Sequence, residues 1–134
     1  MIMAKLAMVL LFLTLSGCHP LKPFSNIETD DAVKLIKARQ NSADFVILDV
    51  RTPEEFNGGY IESAVNLDFK SPDFPARLED LDKTKTYLVY CRAGGRSARA
   101  MTMMQEKGFK RVYNLSGGIT DWQARQQPLS GKTE

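Results

Sequence analysis

Hydrophobic and polar positions along this chain switch repeatedly between two periods. Ala32, Val33, Leu35 and Ile36 recur at helical spacing behind the acidic pair Asp30-Asp31, which predicts a helix from Thr29 or Asp30 to about Gln40. Phe45-Val46-Ile47-Leu48 is a continuous apolar run ending in Asp49-Val50-Arg51, the pattern of a parallel strand buried on both faces. Thr52-Pro53-Glu54-Glu55 opens a short helix, with proline at a first-turn position where its missing N–H costs nothing. Ala64 to Leu67 reads as another short strand, Asp73 to Leu81 as one or two helical turns, and Tyr87 to Cys91 as a further strand. Ala98 to Lys107 follows as a helix stopped by Gly108, and its Met101, Met103 and Met104 are the flexible side chains that fill gaps in a core. Arg111 to Leu115 makes a last strand, after which Gly117-Gly118 leads into a turn around Trp122, a core residue.

Strands that alternate with helices predict an α/β domain with a mainly parallel central sheet flanked by helices. Ligands of such sheets bind beyond the carboxyl ends of the strands, and Asp49, Arg51 and Cys91 all fall there.

The first twenty residues follow another rule. Lys5 gives a positive start, Leu6 to Leu15 form an apolar run, and Ser16-Gly17 supply small residues before Cys18, the order of an export signal. A ten-residue helix spans only about 15 Å, half the thickness of a bilayer's hydrocarbon, so a permanent membrane span is disfavoured. Leu15-Ser16-Gly17-Cys18 is similar to the bacterial lipobox, in which cleavage leaves a lipidated cysteine as the first residue. That resemblance implies lipid attachment at Cys18 on the periplasmic side, and His19 in place of an aspartate favours the outer membrane. The expected organisation is a lipoprotein signal peptide over 1–17, a linker over 18–26 containing Pro20 and Pro23, one domain over 27–125, and a flexible tail over 126–134.

A chain of 134 residues, 43% hydrophobic and 25% charged, has the make-up of one ordinary globular domain. Its formal charge is only +2 and no basic block stands outside the residues after Cys91, which argues against a nucleic-acid surface. The cysteine count of 2 adds a sharper constraint. With Cys18 lipidated, Cys91 is left as a lone thiol in a compartment where most cysteines are paired.

The surroundings of Cys91 give that thiol a task. Residues 91 to 97 read Cys-Arg-Ala-Gly-Gly-Arg-Ser, a glycine-rich turn at a strand's carboxyl end and just before a helix. Such a turn directs backbone N–H groups inward, and the helix beginning near Ser97 adds the positive end of its dipole. The backbone N–H groups of Arg92, Ala93, Gly94, Gly95, Arg96 and Ser97 thus form an anion cradle that favours thiolate, the reactive form of cysteine. Arg92 and Arg96 are placed to hold the oxyanion end of a substrate through their planar forks of donors. The glycine and arginine neighbours predict an accessible sulfur. Arg99, one turn on, reads as structural.

Together these residues resemble the rhodanese family. The resemblance is carried by Leu48-Asp49-Val50-Arg51, by Glu55-Phe56 through Ile61 and Ala64-Val65-Asn66, by the loop Cys91 to Ser97, and by Leu115-Ser116-Gly117-Gly118 followed by Trp122. It implies a rhodanese-like three-layer fold and transfer of a sulfane sulfur through a persulfide on Cys91. The donor is a small sulfur-containing anion such as thiosulfate, the acceptor a thiol or protein, with no cofactor and no metal. Asp49 and Arg51 would tie their loop to the active-site loop by hydrogen bonds. Cys91 and Arg96 are separated by Arg92, Ala93, Gly94 and Gly95, whereas the phosphatases and arsenate reductases of similar architecture use a loop one residue longer, so a single sulfur atom suits this ring better than a phosphate. Gly59-Tyr60-Ile61-Glu62-Ser63-Ala64 departs from the family's Gly-His-Ile-x-Gly-Ala at Tyr60 and Ser63.

Three functions fit: a membrane-anchored thiosulfate-type sulfurtransferase, which leads; a persulfide carrier or binding module for a protein partner; and a thiol redox sensor, for which a resolving cysteine is missing once Cys18 is lipidated.

Overall fold

The computed structural model describes residues 20–131, so the expected signal peptide, Cys18 and His19 lie outside the described residues. In chain order the elements are β1 (Ser25–Ile27), α1 (Thr29–Arg39), β2 (Phe45–Asp49), α2 (Pro53–Asn57) and β3 (Val65–Asn66). Then come α3 (Phe74–Glu79), β4 (Thr86–Tyr90), α4 (Gly95–Glu106), β5 (Arg111–Leu115) and α5 (Gly118–Ala124). The strands form one sheet in the order β1-β5-β4-β2-β3, and every pairing in it is parallel. The expected parallel α/β sheet flanked by helices is what forms.

Side chains of the central strands alternate between two cores, as the two-residue period of a strand requires. Tyr87, Val89 and Cys91 point to one face, where Phe74, Leu78, Ala100 and Met104 of α3 and α4 cover them. Leu88 and Tyr90 point to the other, which packs against Ala32 of α1 and Ile119 and Trp122 of α5. Cys91 therefore leaves the sheet on the α4 side.

Two boundaries differ from the sequence expectation. The stretch read as a linker up to residue 26 contains the start of β1, whose Ser25, Asn26 and Ile27 pair with Tyr113, Asn114 and Leu115. Three residues with one apolar side chain carry too little periodicity to announce a strand; the exposed edge of β5 supplies the hydrogen bonds. The stretch after 125 was expected to be loose, yet it is docked as far as Ser130. Trp122 is buried, its indole N–H needs an acceptor, and it donates to the Pro128 carbonyl at 2.9 Å. Tyr60 and Ser130 exchange backbone hydrogen bonds of 3.0 and 2.8 Å, and Leu129 packs on the α1 side core.

The departures at Tyr60 and Ser63 have separate consequences. Tyr60 stacks on Phe56 with ring centroids 4.2 Å apart and planes 7° from parallel, and a Cβ on Gly131 would lie 2.4 Å from the Tyr60 ring, so the tail passes directly over it. Ser63 is exposed and holds φ at 67°, in the left-handed region where a side chain is strained and glycine is not. Replacing Ser63 by glycine, the residue of the family pattern, removes that strain at the expense of some unfolded-chain entropy. Ser63→Gly should stabilise the domain by about 0.5–1 kcal/mol, seen as a melting temperature roughly 3–6 °C higher in a thermal unfolding scan.

Candidate active site

Three segments converge at the carboxyl ends of β2, β4 and β5: the stretch after β2 that includes α2, the loop from Cys91 to Ser97, and the turn from Ser116 into α5. The shape of the loop is imposed from outside. Ile119 N–H donates to the Cys91 carbonyl at 3.0 Å and Thr120 N–H to the Arg92 carbonyl at 3.1 Å. The carbonyl and N–H of a trans peptide point in opposite directions, so drawing these two carbonyls toward α5 turns the following amides, of Arg92 and Ala93, toward the inside of the loop.

That contact leaves no room for side chains. Gly94 has φ of 100°, and a Cβ there would lie 2.1 Å from the Ser116 carbonyl oxygen. Gly118 has φ of 61°, and its Cβ would lie 2.3 Å from the carbonyl oxygen of Arg92. Asn114 on β5 donates through Nδ2 to the Gly94 carbonyl at 3.3 Å and to Asn26 Oδ1 at 2.9 Å, fixing the loop to the sheet from below. Its own buried Oδ1 receives no hydrogen bond from the described residues.

The sulfur sits inside this ring. Gly94 N–H donates to Cys91 Sγ at 3.1 Å and the Ser97 hydroxyl lies 3.3 Å from it. Cys91 is only 2% exposed, against the expectation of an accessible thiol, because the loop's donors and the Ser97 hydroxyl close over the sulfur and its side chain packs in the core on the α4 side. Burial alone would push the thiol up; the Ser97 hydroxyl and the amides of Ser97, Ala93 and Gly94 outweigh it, and the net shift is down from the ordinary thiol value. The start of the twelve-residue helix α4 at Gly95 adds its dipole in the same direction. The cradle therefore biases Cys91 toward thiolate without calling on a general base.

The arginines divide. Arg96 does not face the cradle as a free cation: its Nη1 and Nη2 reach Glu55 Oε1 and Oε2 at 2.8 and 3.0 Å, a bidentate pair. Arg96 holds the Glu55 carboxyl at about 2, far below the usual range, so the pair stays ionised across all ordinary pH. Glu55 is set for this role by a capping box in which Thr52 Oγ1 accepts from Glu55 N–H while Glu55 Oε1 accepts from Thr52 N–H. Sequence reasoning overlooked Glu55 as a site residue, although the Thr52-x-x-Glu55 spacing is itself a capping signal. Arg92 is exposed and takes part in none of the ion pairs among the described residues. Arg99 is exposed as well.

Asp49 and Arg51 act differently from the expectation. They form a buried pair, Nη2 to Oδ2 at 2.7 Å, and Arg51 Nη2 also donates to the Gly59 carbonyl at 2.7 Å. Their side-chain bonds go to each other and to Gly59, their carbonyls accept from Asn66 Nδ2, and no side-chain hydrogen bond from either reaches residues 91 to 97. The physical reason is reach: Arg51 spends its donors on the nearest buried carboxylate and carbonyl. Its link to the active-site loop runs through α2 and the Glu55–Arg96 pair.

Beside the loop opens a cavity of about 420 Å3 lined by Arg51, Glu55, Arg92, Ile119, Thr120 and Gln123. A larger one, about 540 Å3, lies against α1 and the first half of β2, with Ile36, Phe45 and Ile47 among its walls. No residue of the 91–97 loop lines the larger cavity, so size alone does not locate the chemistry.

With this geometry in place, comparison with known proteins is decisive: residues 32–125 match the Rhodanese-like domain family. The chain belongs to that family. This rhodanese-like domain is 32% identical over 99 residues to a sulfurtransferase of Allochromatium vinosum, covering 74% of this chain and 91% of that one. It is 35% identical over 101 residues to the thiosulfate sulfurtransferase GlpE of Coxiella burnetii, covering 75% of this chain and 89% of the relative. Among solved structures it is similar to a rhodanese-related protein from Thermoplasma volcanium, with a TM-score of 0.69 and 27% identity over 81% of this chain and 99% of the other.

Among the donors around Sγ, the Ser97 hydroxyl contributes most to holding the thiol down. Alkylation of Cys91 by iodoacetamide, followed against pH, should titrate below the ~8.5 of a free cysteine. Ser97→Ala should move that midpoint upward, because it removes a donor that acts on the charged sulfur.

Proposed function

We propose that this protein is a sulfurtransferase that carries a sulfane sulfur as a persulfide on Cys91. The observation that carries the reading is the inward ring of donors on Cys91 Sγ, with Gly94 N–H at 3.1 Å and the Ser97 hydroxyl at 3.3 Å. Thiosulfate is the proposed donor, supported by the small ring and by the likeness to a relative named as a thiosulfate sulfurtransferase. The Cys91 thiolate attacks the outer sulfur of thiosulfate, a new Sγ–S bond forms, and the old S–S bond breaks with its electron pair leaving on sulfite. Cys91–S–S⁻ then carries its extra negative charge in the same donor field, which stabilises the transition state as well as the product. A thiolate or cyanide attacks the terminal sulfur in turn and Cys91 departs as thiolate, giving ping-pong kinetics.

The closing of the loop over Cys91, 2% exposed, and the pairing of Arg96 with Glu55 favour a second reading, a persulfide carrier that a protein partner must open. The two readings separate in one assay. With thiosulfate and cyanide, robust saturable thiocyanate formation that falls to background in Cys91→Ala supports the enzyme. Mass gain by one sulfur without turnover supports the carrier, and no mass gain at all overturns both.

Anchoring is part of the proposal and rests on Leu15-Ser16-Gly17-Cys18. A lipidated Cys18 holds the domain at the periplasmic face of a membrane, with the outer membrane favoured, on a tether of residues 18–24 ahead of β1 that reaches about 25 Å when extended. Expressed with its natural start, the protein should fractionate with membranes, and Cys18→Ala should release it or accumulate as an uncleaved precursor. Unchanged processing and fractionation of that variant would refute the anchor.

A further inference from the structure

Among the helices of the described residues, α2 alone has no buried residue. Five residues long, it is held in place neither by helix propensity nor by a core. Its capping box between Thr52 and Glu55 is internal and fixes only its start. Beyond its end come Gly58 and Gly59, and paired glycines leave the direction of a chain open unless a contact sets it. Arg51 Nη2 sets it at the Gly59 carbonyl, 2.7 Å away. The Phe56 ring of α2 itself lies flat on Tyr60, with centroids 4.2 Å apart. Tyr60 is fixed in turn. It exchanges backbone hydrogen bonds of 3.0 and 2.8 Å with Ser130, and Gly131 passes so near its ring that a Cβ there would lie 2.4 Å away. That carboxyl-terminal segment is tied down by Trp122 Nε1 on the Pro128 carbonyl and by Leu129 in the core on the α1 side. On the other side of Tyr60, Ile61 N–H donates to the Tyr90 hydroxyl at 3.1 Å.

What α2 carries matters to the sulfur. Glu55 accepts from Arg96 Nη1 and Nη2 at 2.8 and 3.0 Å. The negative groups that act on Arg96 are Glu55 on α2, Asp49 at the end of β2 and the Cys91 sulfur itself. Arg96 thus lies within electrostatic reach of the nucleophile, and Glu55 decides how much of its charge is left over. Joined by two hydrogen bonds, the pair presents a dipole; apart, Arg96 presents a full cation. We propose that Tyr60, clamped by residues 128–131, is a positioning residue: it holds α2 against the active-site loop, so that Glu55 stays on Arg96 and the charge beside Cys91 stays near balance. This inference concerns the charge at the sulfur and holds whether the domain turns over thiosulfate or only carries a persulfide.

Iodoacetate and iodoacetamide alkylate the same thiolate and differ by one negative charge. The ratio of their rate constants at Cys91 therefore reads the local charge, while the thiolate fraction and any general loosening of the loop cancel. The measurement uses the full-length protein at one pH, with modification of Cys91 followed by peptide mass. The ratio should rise about fivefold in Glu55→Gln, the worth of a partly exposed ion pair. Tyr60→Ala and Gly131→Ala should raise it in the same direction, by about two- to fivefold. Tyr60→Phe keeps the stacked ring and should match the wild type. Tyr60→Ala added to Glu55→Gln should change nothing further, because both act through one contact. Gly131 is exposed near the end of the chain, so its variant decides the matter if Tyr60→Ala does not fold. A ratio unmoved in Glu55→Gln, or in whichever of Tyr60→Ala and Gly131→Ala folds, overturns the positioning role and leaves the sulfur-transfer reading standing. So does an undiminished effect of Tyr60→Ala in the Glu55→Gln background. A Cys91 that neither reagent modifies overturns the thiolate on which this inference and that reading both stand.

Discussion

The chemistry of this domain depends on two backbone hydrogen bonds between the active-site loop and α5. Ile119 N–H to the Cys91 carbonyl and Thr120 N–H to the Arg92 carbonyl, at 3.0 and 3.1 Å, fix the direction in which the peptides after the cysteine point. Without them a glycine-rich turn has no reason to present its amides inward, since each glycine enlarges the set of alternative conformations. With them, and with Gly94 and Gly118 pressed so closely on their neighbours that a Cβ would sit within 2.1 and 2.3 Å of a carbonyl oxygen, one conformation is selected. Leu115-Ser116-Gly117-Gly118 is thus part of the anion site although none of its side chains touches the sulfur.

Once the ring is set, two opposing terms decide the state of the thiol. Burial of Cys91 disfavours charge, and it is the largest single influence on the group. The donors from Ser97, Ala93 and Gly94 act only on the charged form, and together they exceed it. A cysteine that is 2% exposed yet biased toward thiolate is hidden from bulk solvent while remaining poised for a small electrophile that can replace the contacts of the ring. Burial in apolar packing and burial under inward amides give the same accessibility and opposite chemistry. The notion that a reactive cysteine must be exposed fails here for that reason.

How far the sequence speaks for the structure follows from which interactions are local. The strands β2 and β4 were legible because each is built on a continuous apolar run, β5 because Val112, Tyr113 and Leu115 follow a glycine stop and precede a glycine pair, and α1 because its apolar stripe has helical spacing and acidic residues at its start. The cysteine loop was legible because glycines, arginines and a thiol occur together at a strand's end. β1 was hidden because Ser25-Asn26-Ile27 is a strand only by virtue of the β5 edge beside it. Glu55 was hidden because its partner Arg96 lies 41 positions away. The docking of Pro128 and Ser130 likewise depends on Trp122 and on Tyr60, whose needs appear only when the elements have packed.

The Glu55–Arg96 pair changes what the active site asks of its substrate. A loop with two arginines beside a thiolate reads as a strongly cationic site, yet one guanidinium is neutralised by a carboxylate that stays charged down to about pH 2. The position of that carboxylate is braced in several ways. Thr52 caps α2, Arg51 holds the Gly59 carbonyl at the helix's far end, and Phe56, next in sequence to Glu55, stacks 4.2 Å from Tyr60. Tyr60 is in turn held by the backbone of Ser130 and lies under Gly131. A tyrosine where the family pattern has histidine therefore joins the carboxyl-terminal segment to α2, and through Glu55 to Arg96 on the active-site loop. The charge balance of the site is maintained by residues well removed from the sulfur, and Arg92 is left as the lining cation outside the ion pairs formed by the described residues.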